Sequence, residues 1–187
     1  KGLMQLTHRG QWRGGIAHDD QVKVRVGLGC ASRTGSKQTH LMCGQPRGED
    51  FVDERHGVRH GHGSPMRRAA EQSYVTGLTQ VGIRNVSSTA RDGYEAARAM
   101  GADILSVRQA RALGAQGVVD RIPKGARVYV TIDIDGFCPS IAPGTGTPSH
   151  GGFLYYEVLE MLQGIARSHE VVGIDLVEVA PDYDHSG

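Results

Sequence analysis

Two aspartates in the segment TIDIDGFCP (131–139) point most directly to chemistry. Asp133 and Asp135 stand two positions apart at the end of an apolar, β-branched run. If both lie on a strand, their side chains point to the same face and their charges repel. Buried carboxylates need a partner, and the run contains no Lys or Arg. The pattern predicts a divalent cation site. The alternative is that one carboxylate faces solvent and the other caps a loop.

A second group of candidate residues lies in the segment DFVDERHGVRHGHGSP (50–65). Its acidic and imidazole side chains are typical of metal and acid–base sites: Asp50, Asp53, His56, His60 and His62. His60 and His62 lack the i, i+4 spacing of a helical zinc pair. The alternative is an exposed loop in which the histidines are merely polar.

Glu178 comes near the end of the apolar run VVGIDLVEV (171–179), just before an Ala-Pro pair. A carboxylate at this place can bind a cationic group of a substrate, and the alternative is a strand-end carboxylate solvated by water. Asp175, three residues earlier, is expected on the opposite face of a buried strand.

The loop APGTGTP (142–148) follows the candidate metal strand directly. Its glycines and prolines favour a tight, irregular backbone that can line a pocket. Cys138 has no adjacent His or helix terminus that would lower the pKa of its thiol, so no catalytic role is expected for it.

The elements around these residues alternate between strand and helix. Strands are predicted at 79–84, 102–107, 128–134 and 171–179, and helices at 90–100, 108–122 and 153–168. A further helix is expected to begin at Pro65 after Ser64, and Ser106 is expected to cap a helix. The alternation predicts an α/β fold with a parallel sheet, whose ligand site lies beyond the carboxyl ends of the strands.

Composition excludes several classes of protein. The 187 residues carry 21 Lys and Arg against 20 Asp and Glu, so charge gives no argument for a nucleic acid partner. No apolar run approaches the roughly 18–20 residues of a membrane helix. Three cysteines at irregular spacing form no disulfide framework, and we expect a reducing, cytoplasmic location.

The first 49 residues differ from the rest of the chain. They hold eight basic and three acidic residues, and they show no sustained period apart from a strand-like run at 21–29. The stretch at 30–49 is predicted to be loop or disorder. A basic tail is one explanation, and nucleic acid binding by this arm rests on charge alone.

Residues 50–187 resemble the ureohydrolase (arginase–agmatinase) family, and the agmatinase-like branch in particular. The resemblance is carried by the stretches DFVDER (50–55), GHGSPMRRAAE (61–71), QVGIRNVSS (80–88), TIDIDGF with APGTGTPSHGG (131–152), and GIDLVEVAPDYD (173–184). It implies a three-layer α/β/α fold with a central parallel sheet, incomplete at both ends in this chain. It also implies two manganese ions that activate water for hydrolysis of a guanidino compound, agmatine being favoured, to urea and an amine.

The resemblance assigns roles to five residues of this chain. Asp50, Asp133 and Asp135 match metal ligands of the family. His62 matches a histidine that passes a proton to the leaving amine, and Glu178 matches the glutamate that contacts the guanidinium. The intact family member is expected to be a homo-oligomer without nucleic acid or membrane partners.

The chain departs from the family upstream of Asp50. Pro46 and Gly48 stand where two further ligands are expected, and no Gly-Gly-Asp-His segment is found, so three of the six protein ligands implied by the resemblance are missing. The break near residue 49 coincides with the change in composition, and a different reading frame or a fusion would explain both. The resemblance also implies a further helix after residue 187, without which apolar sheet surface is expected to be exposed.

Two interpretations of the function of the chain therefore stay open. The first is an agmatinase-like amidinohydrolase. The second is a catalytically impaired fragment or pseudoenzyme of the same family that lacks half of the metal ligands.

Overall fold

The computed structural model describes residues 2–6, 12–16, 39–44, 51, 53–54, 57–61, 63–85 and 91–185. Within these ranges the strands are β1 (Gly2–Leu6), β2 (Trp12–Ile16), β3 (Thr39–Gly44), β4 (Val75–Ile83), β5 (Ala102–Ser106), β6 (Arg127–Asp133) and β7 (Glu170–Val177). The helices are α1 (Pro65–Ala70), α2 (Arg91–Ala99), α3 (Val107–Val119) and α4 (Tyr155–Ser168). No helix within the described ranges combines the length and apolar character that a membrane crossing requires.

Five strands form one sheet in the order β5-β4-β3-β6-β7, and every neighbouring pair is parallel. β1 and β2 form a separate antiparallel pair. Because the five strands run in the same direction, their carboxyl ends lie along one edge of the sheet. Gly44 at the end of β3 pairs with Val81 of β4 and with Ile132 of β6, and Asp133 pairs with Val177 of β7.

Helices cover both faces of the sheet, as the sequence predicts. Side chains alternate between the faces of a strand: Val128 and Val130 of β6 pack in one core with residues of α3 and α4. Tyr129, between them, packs against a second core that includes Met66 of α1 and Ala97 of α2. The three-layer α/β/α fold is therefore confirmed.

The predicted helix starts at Ser64 and Ser106 are both found, with different local chemistry. Ser106 forms a capping box with Gln109, in which its hydroxyl accepts the Gln109 amide at 3.2 Å and the Gln109 side chain accepts the Ser106 amide at 2.9 Å. The Ser64 hydroxyl makes no cap bond and donates to the Arg59 carbonyl at 2.7 Å. Its helix starts at Pro65, whose fixed φ suits the first helical position.

The prediction of loop or disorder across 30–49 is wrong for β3. This strand lies at the centre of the sheet, hydrogen-bonded to β4 and β6 on its two sides. Hydrogen bonding to strands on both sides stabilises β3, whose six residues have little strand propensity of their own. β3 ends six residues before Asp50, and a different reading frame or a fusion as the origin of the first 49 residues stays a prediction. The predicted strand at 21–29 lies outside the described residues, and the domain boundary near residue 49 stays a prediction.

β7 was predicted to be buried and is not. It is an edge strand, and Ile174 and Leu176 are 58% and 54% exposed. Ile174 and Leu176 stand two positions apart and so share one face of the strand. An open face is unusual for a strand of a parallel sheet, since such sheets normally have both faces covered. The expected exposure of apolar sheet surface is thus seen at this edge.

Candidate active site

Asp133 and Asp135 lie at the carboxyl end of β6, in different local structure. β6 ends at Asp133, and Ile134–Gly136 form a 3₁₀ turn. The prediction that both side chains share one strand face is therefore wrong, because Asp135 has left the strand. Asp133 Oδ1 accepts the Asp135 amide at 3.0 Å, so Asp133 does cap the turn, as the alternative interpretation proposed. Neither carboxylate faces solvent, however: they are 8% and 3% exposed.

The two oxygens of Asp135 have different surroundings. Oδ2 accepts the hydroxyl of Thr147 at 2.5 Å. Oδ1 is buried and has no hydrogen-bond donor among the residues that the structure describes. Buried carboxylate oxygens are normally paired or bound to a metal ion. The donor set thus fits an oxygen-binding divalent cation at Asp135 Oδ1.

Arginine and hydroxyl groups surround these carboxylates. Arg84, directly after β4, donates to the carbonyls of Asp135 at 2.5 Å and Ser149 at 2.7 Å. Burial lowers the pKa of Arg84, and the nearby negative charge of Asp135 opposes that shift. The Ser149 hydroxyl bonds the side-chain oxygen of Asn85.

Sequence reasoning did not assign roles to Arg84, Asn85, Thr147 or Ser149. A signal was present, since Arg84 and Asn85 follow directly after a predicted strand, at the edge where the ligand site was expected. Thr147 stands in the loop that was expected to line a pocket, and the structure places it against Asp135. What sequence reasoning could not give was the partner of each side chain.

Glu178 follows β7 at the same edge of the sheet. It is exposed and has φ of 59°, the left-handed region that non-glycine residues seldom adopt. The loop 142–148 holds the next residues, since the Ala180 amide donates to the Gly144 carbonyl at 2.7 Å and Thr145 bridges Val179. A Cβ at Gly144 would lie 2.9 Å from Asp184 Cβ, so this close approach requires glycine.

Asp175 points away from this group, into the face of the sheet covered by α1 and α2. Its Oδ2 accepts the hydroxyl of Tyr129 at 2.9 Å. Burial, together with the negative charge of Asp175, raises the pKa of Tyr129. Asp175 thus joins β7 to β6 through Tyr129, and its Oδ1, like that of Asp135, is buried with no hydrogen-bond donor among the described residues.

The cluster predicted at 50–65 is only partly within the described residues. Asp50, His56 and His62 lie outside them. Asp53 is bound by arginines: Arg68 donates to Oδ1 and Arg59 donates to the same oxygen at 3.4 Å. The Arg68 hydrogen bond lowers the pKa of Asp53. Asp53 thus has the partners of a surface ion pair, and His60 is exposed.

Cys138 differs from its sequence-based description. Hydrogen bonds from Ser140 lower the pKa of its thiol, with smaller contributions from the Gly151 amide and the charge of Arg84. None of these partners is a histidine or a helix terminus, the two groups considered from the sequence; they come from the folded loop and from Arg84. No catalytic role follows from this, since a lone thiol without a base is not a catalytic site.

The described residues supply part of a metal site. Among them, no group of three or more His, Cys, Asp or Glu side chains is placed to hold an ion. The cavity beside Asp133 is lined by apolar side chains that include Val130, Phe153 and Met161.

Comparison with known proteins decides the family. The model of the arginase family matches residues 49–187. The chain belongs to the arginase family. The matched range begins at Glu49, the last residue of the compositionally distinct first segment, and includes Asp50, Asp133, Asp135 and Glu178.

Relatives in the arginase family match the same part of the chain. The proclavaminate amidinohydrolase of Streptomyces clavuligerus is 38% identical over 137 residues, which are 71% of this chain and 43% of that protein. An agmatinase of Halalkalibacterium halodurans is 39% identical over 140 residues, 73% of this chain and 46% of that protein. A solved structure of the proclavaminate enzyme superposes with a TM-score of 0.68 at 32% identity, covering 80% of this chain and 49% of that one.

The chain thus spans less than half the length of the curated relatives that it matches. The two relatives are named for different compounds, proclavaminate and agmatine, and their identities to this chain are nearly equal. The family is therefore established, and the substrate is not resolved by the comparison.

Proposed function

We propose that this chain carries part of the active site of a manganese-dependent amidinohydrolase that releases urea from a guanidino compound. Membership of the arginase family supports the class of reaction. The single observation that carries the proposal is the buried Asp135 Oδ1, for which the described residues offer no hydrogen-bond donor.

Asp133 and Asp135 are the proposed metal ligands among the described residues. Two buried carboxylates two residues apart repel each other, a bound divalent cation would offset that repulsion, and carboxylate oxygens suit manganese. Asp50 is proposed as a third ligand, since it follows β3, whose end lies beside that of β6. Divalent ions held by these residues would lower the pKa of a bound water and so supply a nucleophile at neutral pH.

Glu178 is proposed to hold the guanidinium of the substrate. It follows β7 one residue after Val177, the strand partner of Asp133. An exposed carboxylate at that place can pair with a planar cation through two parallel hydrogen bonds. Its left-handed backbone sets the direction of the side chain and is held by the 142–148 loop.

The proposed reaction is hydrolysis of one carbon–nitrogen bond. The oxygen of water adds to the guanidinium carbon, and the bond from that carbon to the substituted nitrogen breaks. The electron pair leaves with the nitrogen, which takes up one proton of the water to give the free amine. The other proton of the water is released with the cation's charge as the carbonyl of urea forms. We assign to His62 the delivery of the proton that the nitrogen takes up, since a histidine changes charge near neutral pH.

Agmatine is the proposed substrate, because the chain resembles the agmatinase-like branch of the family. The end of the substrate remote from the guanidinium would distinguish agmatine from arginine and from guanidino acids such as guanidinobutyrate. Glu178 is proposed to contact only the guanidinium, so other loops must recognise the remote end. Activity towards each compound therefore tests the branch separately from the reaction.

The experiment combines metal binding and product release on the purified chain. Mn²⁺ binding is measured by electron paramagnetic resonance, and urea release is measured with agmatine, arginine and 4-guanidinobutyrate. We expect Mn²⁺ to bind, and Asp135→Asn to weaken binding by more than about 100-fold, because loss of groups that only support ligands already costs 10- to 100-fold. Asp53→Asn is the matched control, since its carboxylate is already bound by arginines.

The outcomes separate the two readings of the chain. Mn²⁺ binding with urea release supports the amidinohydrolase. Mn²⁺ binding without urea supports the impaired fragment, a candidate favoured by the lack of a three-ligand group among the described residues. Absence of Mn²⁺ binding, or equal binding by wild type and Asp135→Asn, would overturn the proposed metal site.

A further inference from the structure

The side chain of Arg84, directly after β4, donates hydrogen bonds to backbone carbonyls of several segments of the chain. Its Nε donates to the His150 carbonyl at 2.9 Å. One terminal nitrogen donates to the carbonyls of Asp135, Ser149 and Phe137, at 2.5, 2.7 and 3.4 Å. The other terminal nitrogen contacts the Gly82 carbonyl of its own strand at 3.4 Å.

These contacts join three separate segments of the chain. Arg84 belongs to the end of β4, Asp135 and Phe137 belong to the turn after β6, and Ser149 and His150 belong to the loop before α4. The central strand β3 lies between β4 and β6, so no β4–β6 backbone ladder can connect these ends. The Arg84 side chain therefore bridges two strand ends across the intervening strand.

The bridge acts on the backbone that carries the carboxylates. Asp135 is held at its carbonyl by Arg84, at its amide by Asp133 Oδ1, and at its Oδ2 by Thr147. These three contacts leave Oδ1 as the atom of the carboxylate with no donor among the described residues. An arginine that bonded the carboxylate itself would have satisfied this oxygen.

We propose that Arg84 is a positioning residue, which fixes the Asp133–Asp135 turn through its carbonyl oxygens and so presents Asp135 Oδ1 to a divalent cation. The presentation of Asp135 Oδ1 to a cation rests on the proposed metal site. The fixing of the turn rests on the hydrogen bonds of Arg84 alone.

The fork of the guanidinium is essential to this role. Arginine offers five N–H groups in a fixed plane, whereas lysine offers one compact ammonium on a flexible stem. Arg84→Lys keeps the positive charge near Asp133 and Asp135 and loses the simultaneous bonds to three segments. This variant therefore separates position from charge, and Arg84→Met removes both.

Arg111 provides the matched control. It also donates to a carbonyl of the loop before α4, that of Gly152 at 3.0 Å. Its other contacts go to the Glu157 carboxylate, at 2.7 and 3.0 Å, and none goes to the turn after β6. Arg111→Lys thus weakens the same loop without releasing Asp135.

The test uses two readouts on the whole chain, neither of which requires catalysis. The dissociation constant of Mn²⁺ is measured by electron paramagnetic resonance titration. Hydrogen exchange of the Asp135, Gly136 and Phe137 amides is measured without metal, beside urea unfolding for global stability. We expect Arg84→Lys to weaken Mn²⁺ binding by about 10- to 100-fold and to speed exchange of these amides, and Arg111→Lys to change neither.

Each outcome decides one part of the proposal. Equal effects of Arg84→Lys and Arg111→Lys on Mn²⁺ binding and on exchange would overturn it, as would wild-type values for both readouts in Arg84→Lys and Arg84→Met. If wild type binds no Mn²⁺, the proposed metal site fails. Fast exchange in Arg84→Lys would then still support the fixing of the turn, and unchanged exchange would refute it. If Arg84→Lys loses the global fold, Arg84→Met, with a similar stem and no buried charge, gives the exchange comparison.

Discussion

Two regions of this protein bring arginines and aspartates together in opposite ways. Before α1, Arg59 and Arg68 bind the carboxylate of Asp53 directly. After β6, Arg84 binds carbonyl oxygens and leaves Asp135 Oδ1 without a donor among the described residues. The first arrangement satisfies the carboxylate, and the second leaves one carboxylate oxygen without a hydrogen-bond donor among the described residues. The role of an acidic residue thus depends on which atoms its arginine neighbours contact.

A third region lies between these extremes. Arg111 contacts both the Gly152 carbonyl and the Glu157 carboxylate, and it ties α3 to the start of α4. Glu157 in turn accepts the Leu154 amide at 2.7 Å, at the first turn of α4. Arg111 thus both stabilises the loop before α4 and satisfies the Glu157 carboxylate, as expected of a residue with a structural role.

The largest expected effect comes from tight packing behind the carboxylate turn. A Cβ at Gly152 would lie 2.4 Å from the carbonyl carbon of Phe137 and 2.7 Å from the Cys138 amide nitrogen. Backbone cannot retreat as a flexible side chain can, so Gly152→Ala is expected to lower the free energy of unfolding by about 1–3 kcal/mol. Urea denaturation measures this.

The control for Gly152 comes from the other region. A Cβ at Gly61 would meet only Val58 Cγ1, at an ordinary 3.7 Å. Gly61→Ala should therefore leave stability nearly unchanged. Equal losses from both substitutions would show that the turn after β6 is no more tightly held than the loop before α1.

The second effect concerns the charge of Asp135 in the metal-free protein. Asp135→Asn removes a buried charge that has an oxygen without a donor among the described residues, and keeps a side-chain oxygen for Thr147. We expect the metal-free variant to be more stable than wild type by about 1 kcal/mol. Thermal unfolding in the presence of a chelator measures this difference in stability. A variant less stable than wild type would contradict the conclusion that the Asp135 carboxylate lacks a hydrogen-bond donor.

The third effect is a pH dependence at Glu157. The Arg111 hydrogen bond lowers the pKa of Glu157 from its ordinary value of 4.5. The stabilising contribution is therefore present above pH 4.5 and is lost as pH falls through the lower pKa of the folded state. Glu157→Gln should reduce stability by at most about 1 kcal/mol at pH 7, because the pair is partly screened by solvent.

Urea denaturation between pH 3 and pH 7 checks this sign. The difference between wild type and Glu157→Gln should be constant above pH 5 and should shrink below pH 4.5. Glu95→Gln, which removes the highly exposed Arg91–Glu95 pair, is the control and should give a smaller difference throughout. A difference that grows on acidification would mean that the ion pair does not stabilise the fold.

The smallest expected effect is that of Asp53 on metal binding. Its carboxylate is occupied by arginines and is half exposed, so Asp53→Asn should leave the Mn²⁺ dissociation constant unchanged. Electron paramagnetic resonance titration beside Asp135→Asn measures the contrast. A loss of affinity in Asp53→Asn that matches Asp135→Asn would remove the distinction between the two regions.

The sequence by itself determined the order of elements from α1 to β7 and the edge of the sheet where chemistry was expected. These features depend on local properties, such as the β-branched run of β6 and the Ser106–Gln109 capping box. It also identified Asp133, Asp135 and Glu178 as candidates. Family motifs of this kind are contiguous, so a single chain reveals them without knowledge of contacts.

Only the tertiary structure decided which atoms are satisfied. Arg84 meets Asp135 across 51 positions and Ser149 across 65, and no local pattern encodes such partners. The same holds for β3, whose place at the centre of the sheet comes from pairing with β4 and β6 rather than from its own residues. The exposed state of β7 likewise depends on its place at the edge of the sheet, since its apolar sequence is typical of a buried strand. Hydrogen bonding and burial are properties of neighbours in space, and spacing along the chain does not determine them.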